Sequence, residues 1–200
     1  MSSGLPKVQG VFLNVPFDPA YERNFVALIA TILSLGGKPH CVLEIPDLGE
    51  GRLLRILKHL EACQISIHEL SRVGTPVRFN MPFELGLACA LSVYKGNHAF
   101  VLLEKEPYRL DRTLSDLKGR DALIHGGRPE GIINCLLDLL GSTSKNPKPE
   151  EIRVLWKQLW RYACDLKVQY GRNTLFHRSL FNELITAGSD FANAAGLIPS

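Results

Sequence analysis

The sequence predicts a doubly wound α/β fold, with a mostly parallel five-stranded sheet and a C-terminal helical extension. Short apolar runs rich in β-branched residues alternate with segments of helical periodicity, which is typical of a parallel sheet covered on both faces. The composition agrees, because 46% of the 200 residues are hydrophobic and 22% are charged. We expect an α/β domain over residues 1–140, and a linker with the helical extension over residues 141–200.

Three predicted strands in the first half of the chain are each followed by a helix. The strands cover residues 7–15, 39–45 and 64–70. The helices cover residues 19–35, 52–63 and 81–93. Asp18 directly before Pro19 is typical of a helix N-terminus. The first helix is apolar nearly all round, so we expect other elements to cover it.

The second half of the chain continues this alternation and then passes through a linker. Strands are predicted over residues 97–104 and 120–125, a loop or short helix over 109–117, and helices over 129–140, 152–170 and 175–187. The linker, residues 141–150, is rich in Ser, Pro and Lys. The helix after it has one apolar face. That face either packs back on the sheet domain or binds a partner, including a second copy of the chain.

Composition and charge exclude several classes of protein. No run approaches the roughly 20 apolar residues of a membrane span, and the N-terminus lacks a signal-peptide pattern. The five cysteines are scattered without a CxxC pair, which is typical of reduced thiols. The net charge of +3 lies entirely in residues 141–200 and is too dispersed for a nucleic-acid interface. We expect a cytoplasmic protein with neither a membrane nor a nucleic-acid partner.

The common motifs of catalysis and cofactor binding are missing from the sequence. There is no GxGxxG after the first strand and no GxxxxGK[ST], which argues against dinucleotide dehydrogenases and P-loop nucleotidases. There is no GxSxG, HExxH or tight His/Cys cluster in the sequence, which argues against serine hydrolases and zinc enzymes. We therefore predict no metal and no cofactor.

Polar segments follow the first three predicted strands, at residues 14–18, 44–50 and 68–80. The carboxyl ends of parallel strands meet at one edge of a sheet, where ligands bind. Glu84, in the first turn of the helix that follows, is placed to meet a ribose there. Asn80 and the free amides of that helix end can hold hydroxyls or phosphate oxygens. Equally, an acidic residue in a first turn only complements the helix dipole.

The other candidate residues also allow two interpretations each. Asp18 either caps the first helix or contacts a ligand, and Phe17 and Tyr21 either stack on a base or fill the edge of the core. Arg72 and Arg78 either pair with phosphates or are solvated. Ser71 either contacts the ligand or only ends its strand, and a buried structural role is favoured for His68 over catalysis.

Three segments of the sequence resemble one superfamily. They are residues 11–18 (VFLNVPFD), 65–72 (ISIHELSR) and 78–88 (RFNMPFELGLA). The segments are similar to those of TIR-like and nucleoside 2-deoxyribosyltransferase-like proteins, in particular of bacterial TIR-like domains. The resemblance covers residues 7–140 and implies a flavodoxin-like or TIR-like sheet. Residues 141–200 carry no such resemblance.

The resemblance implies cleavage of an N-glycosidic bond, with NAD as substrate rather than cofactor. It implies Glu84 as the catalytic carboxylate, either a nucleophile or a stabiliser of the oxocarbenium-like transition state. It also implies that Phe17, Asp18 and Tyr21 line the base or nicotinamide pocket. Ser71, Arg72 and Asn80 then hold ribose or phosphate, with Arg78 a further phosphate contact.

The sequence also departs from the family pattern. Asn80-Met81-Pro82 stands where deoxyribosyltransferases carry Gly-Thr, which puts base exchange in doubt. Bacterial TIR-like proteins often act as defence effectors when assembled, and the C-terminal helices offer a surface for a homo-oligomer.

Three functions follow, in order of preference. The first is an NAD glycohydrolase. The second is a nucleoside or nucleotide N-glycosidase or deoxyribosyltransferase, favoured by Glu84 in a narrow pocket beside Arg72 or Arg78. The third is a non-catalytic nucleotide-binding or interaction module, favoured by Glu84 in an ion pair or facing the core.

Overall fold

The computed structural model describes residues 9–44, 49, 51–72, 79–117, 119–141 and 146–198. Five strands form a single sheet: β1 (Gly10–Asn14), β2 (Lys38–His40), β3 (Ile65–Glu69), β4 (Ala99–Glu104) and β5 (Leu123–Ile124). They are all parallel, in the order β2-β1-β3-β4-β5. The predicted doubly wound α/β fold with five parallel strands is therefore confirmed.

Helices cover both faces of the sheet. They are α1 (Glu22–Ser34), α2 (Arg52–Ala62), α3 (Asn80–Lys95), the short α4 (Leu110–Thr113), α5 (Pro129–Leu140), α6 (Pro149–Gln169) and α7 (Arg178–Ala194). Successive side chains of a strand point to opposite faces. Val11 and Leu13 of β1 therefore pack in one core with α1 and α5, while Phe12 packs against α2 and α3.

The second strand is shorter than the sequence predicts. β2 ends at His40, and the backbone N–H of Glu44 donates to the carbonyl of Cys41 at 3.1 Å, which closes a turn. The Glu44 carboxylate also accepts hydrogen bonds from the Cys41 N–H and the His40 ring. The prediction of a strand is wrong over residues 41–44, because the Glu44 side chain stabilises a turn that the apolar pattern does not reveal. Residue 45, the last of the predicted strand, lies outside the described residues.

Asp18 and Pro19 begin the first helical segment, as predicted. The Asp18 carboxylate accepts a hydrogen bond from the N–H of Ala20 at 3.3 Å, and a 3-10 turn over Pro19–Tyr21 precedes α1. Every residue of α1 except Arg23 is buried. This agrees with its apolar sequence, because the sheet covers one side of α1 while α6 and α7 cover the other.

The C-terminal helices pack back on the sheet domain, which is the first of the two alternatives for them. Leu155, Trp156 and Leu159 of α6 share one hydrophobic core with α1. Buried Glu22 accepts hydrogen bonds from the Lys167 ammonium at 2.6 Å and from the Leu175 N–H at 2.8 Å. The first half of α6 therefore packs on α1, and Lys167 near the end of α6 pairs with the first residue of α1.

Two further expectations concern the cysteines, expected to be reduced, and the absence of a membrane-spanning segment. All five cysteines are free: Cys41 and Cys63 are buried, and Cys89, Cys135 and Cys164 are half-buried. Within the described part of the chain, no helix combines the length and the apolar character that crossing a membrane requires.

Candidate functional site at the carboxyl edge of the sheet

The order of the strands places a crevice at the carboxyl ends of β1 and β3. These two strands are neighbours, but the chain leaving β1 enters α1 on one face while the chain leaving β3 leads to α3 on the other. In open α/β sheets such a divergence of the connections is where ligands bind. Most of the candidate residues lie at this edge, in two groups that the sheet separates.

The first group surrounds a cleft of about 290 Å³ on the α1 side of the sheet, here termed the Glu69 cleft. Its polar lining consists of Asp18, Tyr21, Asn24, Glu69, Ser71, Arg72, Lys105 and His125. Four predicted binding residues, Asp18, Tyr21, Ser71 and Arg72, are among them. The structure therefore brings these four together.

Glu69 is the buried centre of this cleft, with no exposed surface. Its carboxylate accepts hydrogen bonds from the Tyr21 hydroxyl at 2.8 Å and from the Ser71 N–H at 2.8 Å, and the His125 Nε2 lies 3.0 Å away. Burial by itself raises the pKa of Glu69, but the contacts with His125 and Ser71 outweigh it and lower that pKa below the ordinary value. Glu69 is therefore an ionised hydrogen-bond acceptor.

Tyr21 and His125 each present a proton to Glu69. Burial, and then the neighbouring charge of Glu69, raises the pKa of Tyr21 well above its ordinary value, so its hydroxyl keeps the proton that it donates. The Gly127 N–H donates to His125 Nδ1 at 3.1 Å, which makes Nδ1 an acceptor and assigns the ring proton to Nε2, facing Glu69. The two donors hold the carboxylate in one position.

The rim of the Glu69 cleft carries cationic side chains. Arg72 forms an ion pair with Asp18, and Lys105 lines the cleft beside them. The Arg72 side chain is 38% exposed, so its guanidinium remains within reach of solvent. Arginine and lysine at the mouth of a cleft suit an anionic ligand such as a phosphate.

The second group, here termed the Glu84 cluster, consists of Phe17, Arg52, Asn80 and Glu84. Glu84 is only 4% exposed, and its Oε1 lies 3.5 Å from the Arg52 guanidinium. Burial raises the pKa of Glu84 above the ordinary value, and Arg52 and then Asn80 offset part of this rise. The Arg52 guanidinium also lies over the Phe17 ring, 5.9 Å from its centroid. A planar cation thus contacts both an aromatic ring and a buried carboxylate.

A chain of buried hydrogen bonds runs beneath the Glu84 cluster. The Asn14 amide lies 2.9 Å from His68 Nδ1 and 3.4 Å from the Met81 carbonyl in the first turn of α3. His68 Nε2 contacts the Ser66 hydroxyl, which in turn contacts His98, at 2.8 Å in each case. Burial lowers the pKa of His68 to about 3, so this histidine is neutral and structural, as the sequence favours.

The predicted residues thus fall into two places rather than one. Asp18, Tyr21, Ser71 and Arg72 line the Glu69 cleft, whereas Phe17, Asn80 and Glu84 belong to the Glu84 cluster, which does not line it. Arg78 lies outside the described residues.

Sequence reasoning missed Arg52, Lys105 and the central role of Glu69. The signal for Glu69 was available, because it follows His68 in a strand and must point to the opposite face. No pattern in the sequence indicates a role for Arg52. Its partner Glu84 is 32 positions away, on a different helix.

The chain was compared with family models, with curated proteins and with solved structures, and none of the three comparisons finds a match. The resemblance to TIR-like and deoxyribosyltransferase-like proteins therefore rests on the three sequence segments alone.

Proposed function

We propose that this chain binds NAD at the carboxyl edge of its sheet and hydrolyses the N-glycosidic bond to nicotinamide. The proposal joins the resemblance of residues 78–88 with one observation, the placement of the Arg52 guanidinium between the Phe17 ring and the Glu84 carboxylate. The nicotinamide ring of NAD is also a planar cation. A position that accepts one planar cation against an aromatic ring and a carboxylate suits another.

Displacement of Arg52 by the substrate is energetically reasonable. The Arg52 side chain is 50% exposed and can return to solvent, whereas the Glu84 side chain is 5% exposed and cannot. A buried carboxylate that loses a cationic partner is strongly destabilised. The nicotinamide ring would replace one positive charge with another, so Glu84 keeps a cationic neighbour when Arg52 is displaced.

The chemistry needs one carboxylate and no general acid. The bond that breaks joins the anomeric carbon to the pyridinium nitrogen, and its electron pair goes to that nitrogen, so nicotinamide leaves as a neutral molecule. Positive charge develops at the anomeric carbon, where the Glu84 carboxylate opposes it. Water then adds to this carbon and releases a proton, either after direct attack or after a covalent intermediate on Glu84.

The Glu69 cleft supplies a place for the rest of the dinucleotide. Arg72 and Lys105 suit the phosphate oxygens of a dinucleotide. Phe17 of the Glu84 cluster and Asp18 of the Glu69 cleft are consecutive residues, so one loop serves both groups. Two polar groups at the same edge of the sheet favour a dinucleotide over a nucleoside monophosphate.

The alternative functions remain distinct and testable. The ion pair between Glu84 and Arg52 is the feature that favours a non-catalytic nucleotide-binding module. A nucleoside or nucleotide N-glycosidase or deoxyribosyltransferase is the other alternative, and it differs from the proposal in its substrate.

The test is nicotinamide release from NAD, measured by chromatography with the purified full chain at high concentration. We expect release by the wild-type chain and a loss of at least about a hundredfold in Glu84→Gln, which removes the charge that opposes the transition state. Glu61→Gln is the matched control, because Glu61 is an exposed glutamate on α2 that pairs with Lys95. It should keep wild-type activity.

Two other outcomes would each favour one of the alternative functions. Base release from a panel of nucleoside monophosphates, with no nicotinamide from NAD, would support the N-glycosidase alternative. If the chain cleaves neither NAD nor the nucleoside monophosphates but binds NAD in a calorimetric titration, the result would support the binding module and overturn the proposal.

A further inference from the structure

A third cluster of titratable side chains lies at the edge of the sheet and shares no residue with either group. His40 ends β2, Glu44 lies in the turn that follows, and His59 lies in the last turn of α2. One ligand atom from each of the three lies within 4.8 Å of the others. His40 Nδ1 and Glu44 Oε2 are 2.9 Å apart, and the rings of His40 and His59 have centroids 6.1 Å apart.

His59 gives an independent reason to expect a ligand here. It is 8% exposed, and its Nε2 is buried with no hydrogen-bond partner among the described residues. A buried polar atom without a partner destabilises the folded chain, and a bound ion would satisfy it. The ring cannot easily turn away, because it stacks on Phe12 with centroids 5.5 Å apart and planes inclined by 17°.

The chemistry of the three side chains fits a transition metal. Two imidazoles and one carboxylate are a common set for Zn²⁺ with three protein ligands and an open fourth position, whereas Mg²⁺ and Ca²⁺ prefer oxygen ligands. Ligand atoms around a tetrahedral Zn²⁺ are about 3.3 Å apart, so the cluster needs only small side-chain shifts. The His40 and Glu44 side chains are each 23% exposed, which leaves room for a water molecule as fourth ligand.

A backbone hydrogen bond already orients the Glu44 carboxylate. The Cys41 N–H donates to Glu44 Oε2 at 3.1 Å, the kind of contact that holds a metal-binding carboxylate in place. β2 is an edge strand of three residues that pairs with β1. A metal ion here would tie the end of β2 and its turn to the last turn of α2.

We propose that His40, Glu44 and His59 form a binding site for a divalent transition-metal ion, with Zn²⁺ as the ion expected. The site joins β2 to α2 and does not depend on the proposed glycohydrolase activity. It departs from the expectation that the chain binds no metal.

The test uses the full chain, stripped with EDTA and then desalted to remove the chelator. Titration calorimetry with ZnCl₂ is expected to give one equivalent of binding, and Zn²⁺ is expected to raise the temperature of thermal unfolding. CoCl₂ is the second probe. It should give visible d–d bands without the near-ultraviolet band of a thiolate ligand, because the ligand atoms are nitrogen and oxygen.

Single substitutions test which side chains bind the metal ion. His40→Ala and Glu44→Gln should each weaken Zn²⁺ binding by at least about tenfold. Both residues are half-buried, so they carry the test even if replacing His59, which packs on Phe12, unfolds the chain. His177→Ala, at the start of α7, is the matched control and should bind like the wild type.

Three results would overturn the proposal. They are no Zn²⁺ binding by the wild-type chain, unchanged affinity in both His40→Ala and Glu44→Gln, and a thiolate band in the Co²⁺ spectrum. The last would assign the metal to the buried cysteines instead.

Discussion

At the scale of single residues, the alternation of side chains along a strand decides on which face of the sheet each side chain lies. His68 and Glu69 are neighbours in β3, yet His68 lies in the hydrogen-bond chain beneath the Glu84 cluster and Glu69 at the centre of its own cleft. Both are fully buried. Their ionisation differs because Glu69 receives donors suited to a charged carboxylate, while burial, and then the nearby His98, disfavour a proton on the His68 ring.

His68 makes stability depend on pH. Its pKa is about 3 in the folded chain and about 6.5 when unfolded, so below pH 6.5 the unfolded chain binds a proton that the folded chain does not. We expect the free energy of unfolding to fall by about 2 kcal/mol through His68 between pH 7 and pH 5. Urea denaturation at pH 7, 6 and 5 measures this fall.

The variant His68→Gln removes the titrating ring. It should be less stable at pH 7 but should lose about 2 kcal/mol less than the wild type on acidification to pH 5. His177→Gln serves as the matched control, because His177 lies outside the chain of hydrogen bonds. Equal slopes in the wild type and His68→Gln would contradict the prediction.

At the scale of elements, the start of α5 sets the position of His125. A Cβ added at Gly131, in the first turn of α5, would lie 2.0 Å from the His125 carbonyl oxygen. Only glycine allows this helix to approach the end of β5 so closely. The approach keeps His125 where its ring faces Glu69.

Gly131→Ala should destabilise the chain by about 2 kcal/mol, because the added methyl group must push α5 away from His125. Thermal or urea unfolding measures the loss. Gly86→Ala is the matched control, since a Cβ at Gly86 of α3 meets nothing within 4 Å. There, alanine should stabilise the helix by up to about 1 kcal/mol. A neutral or stabilising Gly131→Ala would show that α5 moves without cost.

Most elements follow from local pattern, but two strands are shorter than that pattern predicts. The apolar runs place β1, β3 and β4 correctly, because buried strands need continuous apolar side chains. β5 covers only Leu123–Ile124 of the predicted residues 120–125. β2 also ends earlier than predicted. Its run of apolar residues continues past His40, but Glu44 diverts the backbone into a turn.

At the scale of the whole molecule, the C-terminal helices belong to the same core as the sheet. Gly188 of α7 lies so close to α1 that an added Cβ would be 2.7 Å from the Leu33 side chain. The Trp156 indole N–H donates to the Arg23 carbonyl of α1 at 3.2 Å. We therefore expect α6 and α7 to unfold together with the sheet.

Glu22→Gln tests this coupling. It removes the charged acceptor of Lys167 and should lower the free energy of unfolding by about 2 kcal/mol. Both tryptophans lie in α6, so fluorescence reports on the extension while far-ultraviolet circular dichroism reports on all helices. The two transitions should coincide in the wild type and shift together in the variant.

Glu150→Gln, an exposed glutamate in the first turn of α6, is the matched control and should change stability little. A fluorescence transition that shifts alone in Glu22→Gln would mean that the extension unfolds independently.

The sequence predicts the edge of the sheet at which the candidate residues lie. It does not predict how they divide between the Glu69 cleft and the Glu84 cluster. The sequence places polar residues after β1 and β3, and parallel strands bring those ends to one edge. It could not assign Glu84 to Arg52, or Glu69 to Tyr21, which lies 48 positions away. Contacts between such distant positions depend on how α1, α2 and α3 pack, and no local pattern encodes that packing.

The sequence by itself therefore determined the α/β class, the parallel sheet and the edge at which polar residues gather, because periodicity and capping act over a few residues. Only the tertiary structure decided that the sheet divides those residues between the Glu69 cleft and the Glu84 cluster. It alone brought His40, Glu44 and His59 together. The physical reason is that ion pairs, shared protons and ligand sets form between side chains whose separation in space is set by packing.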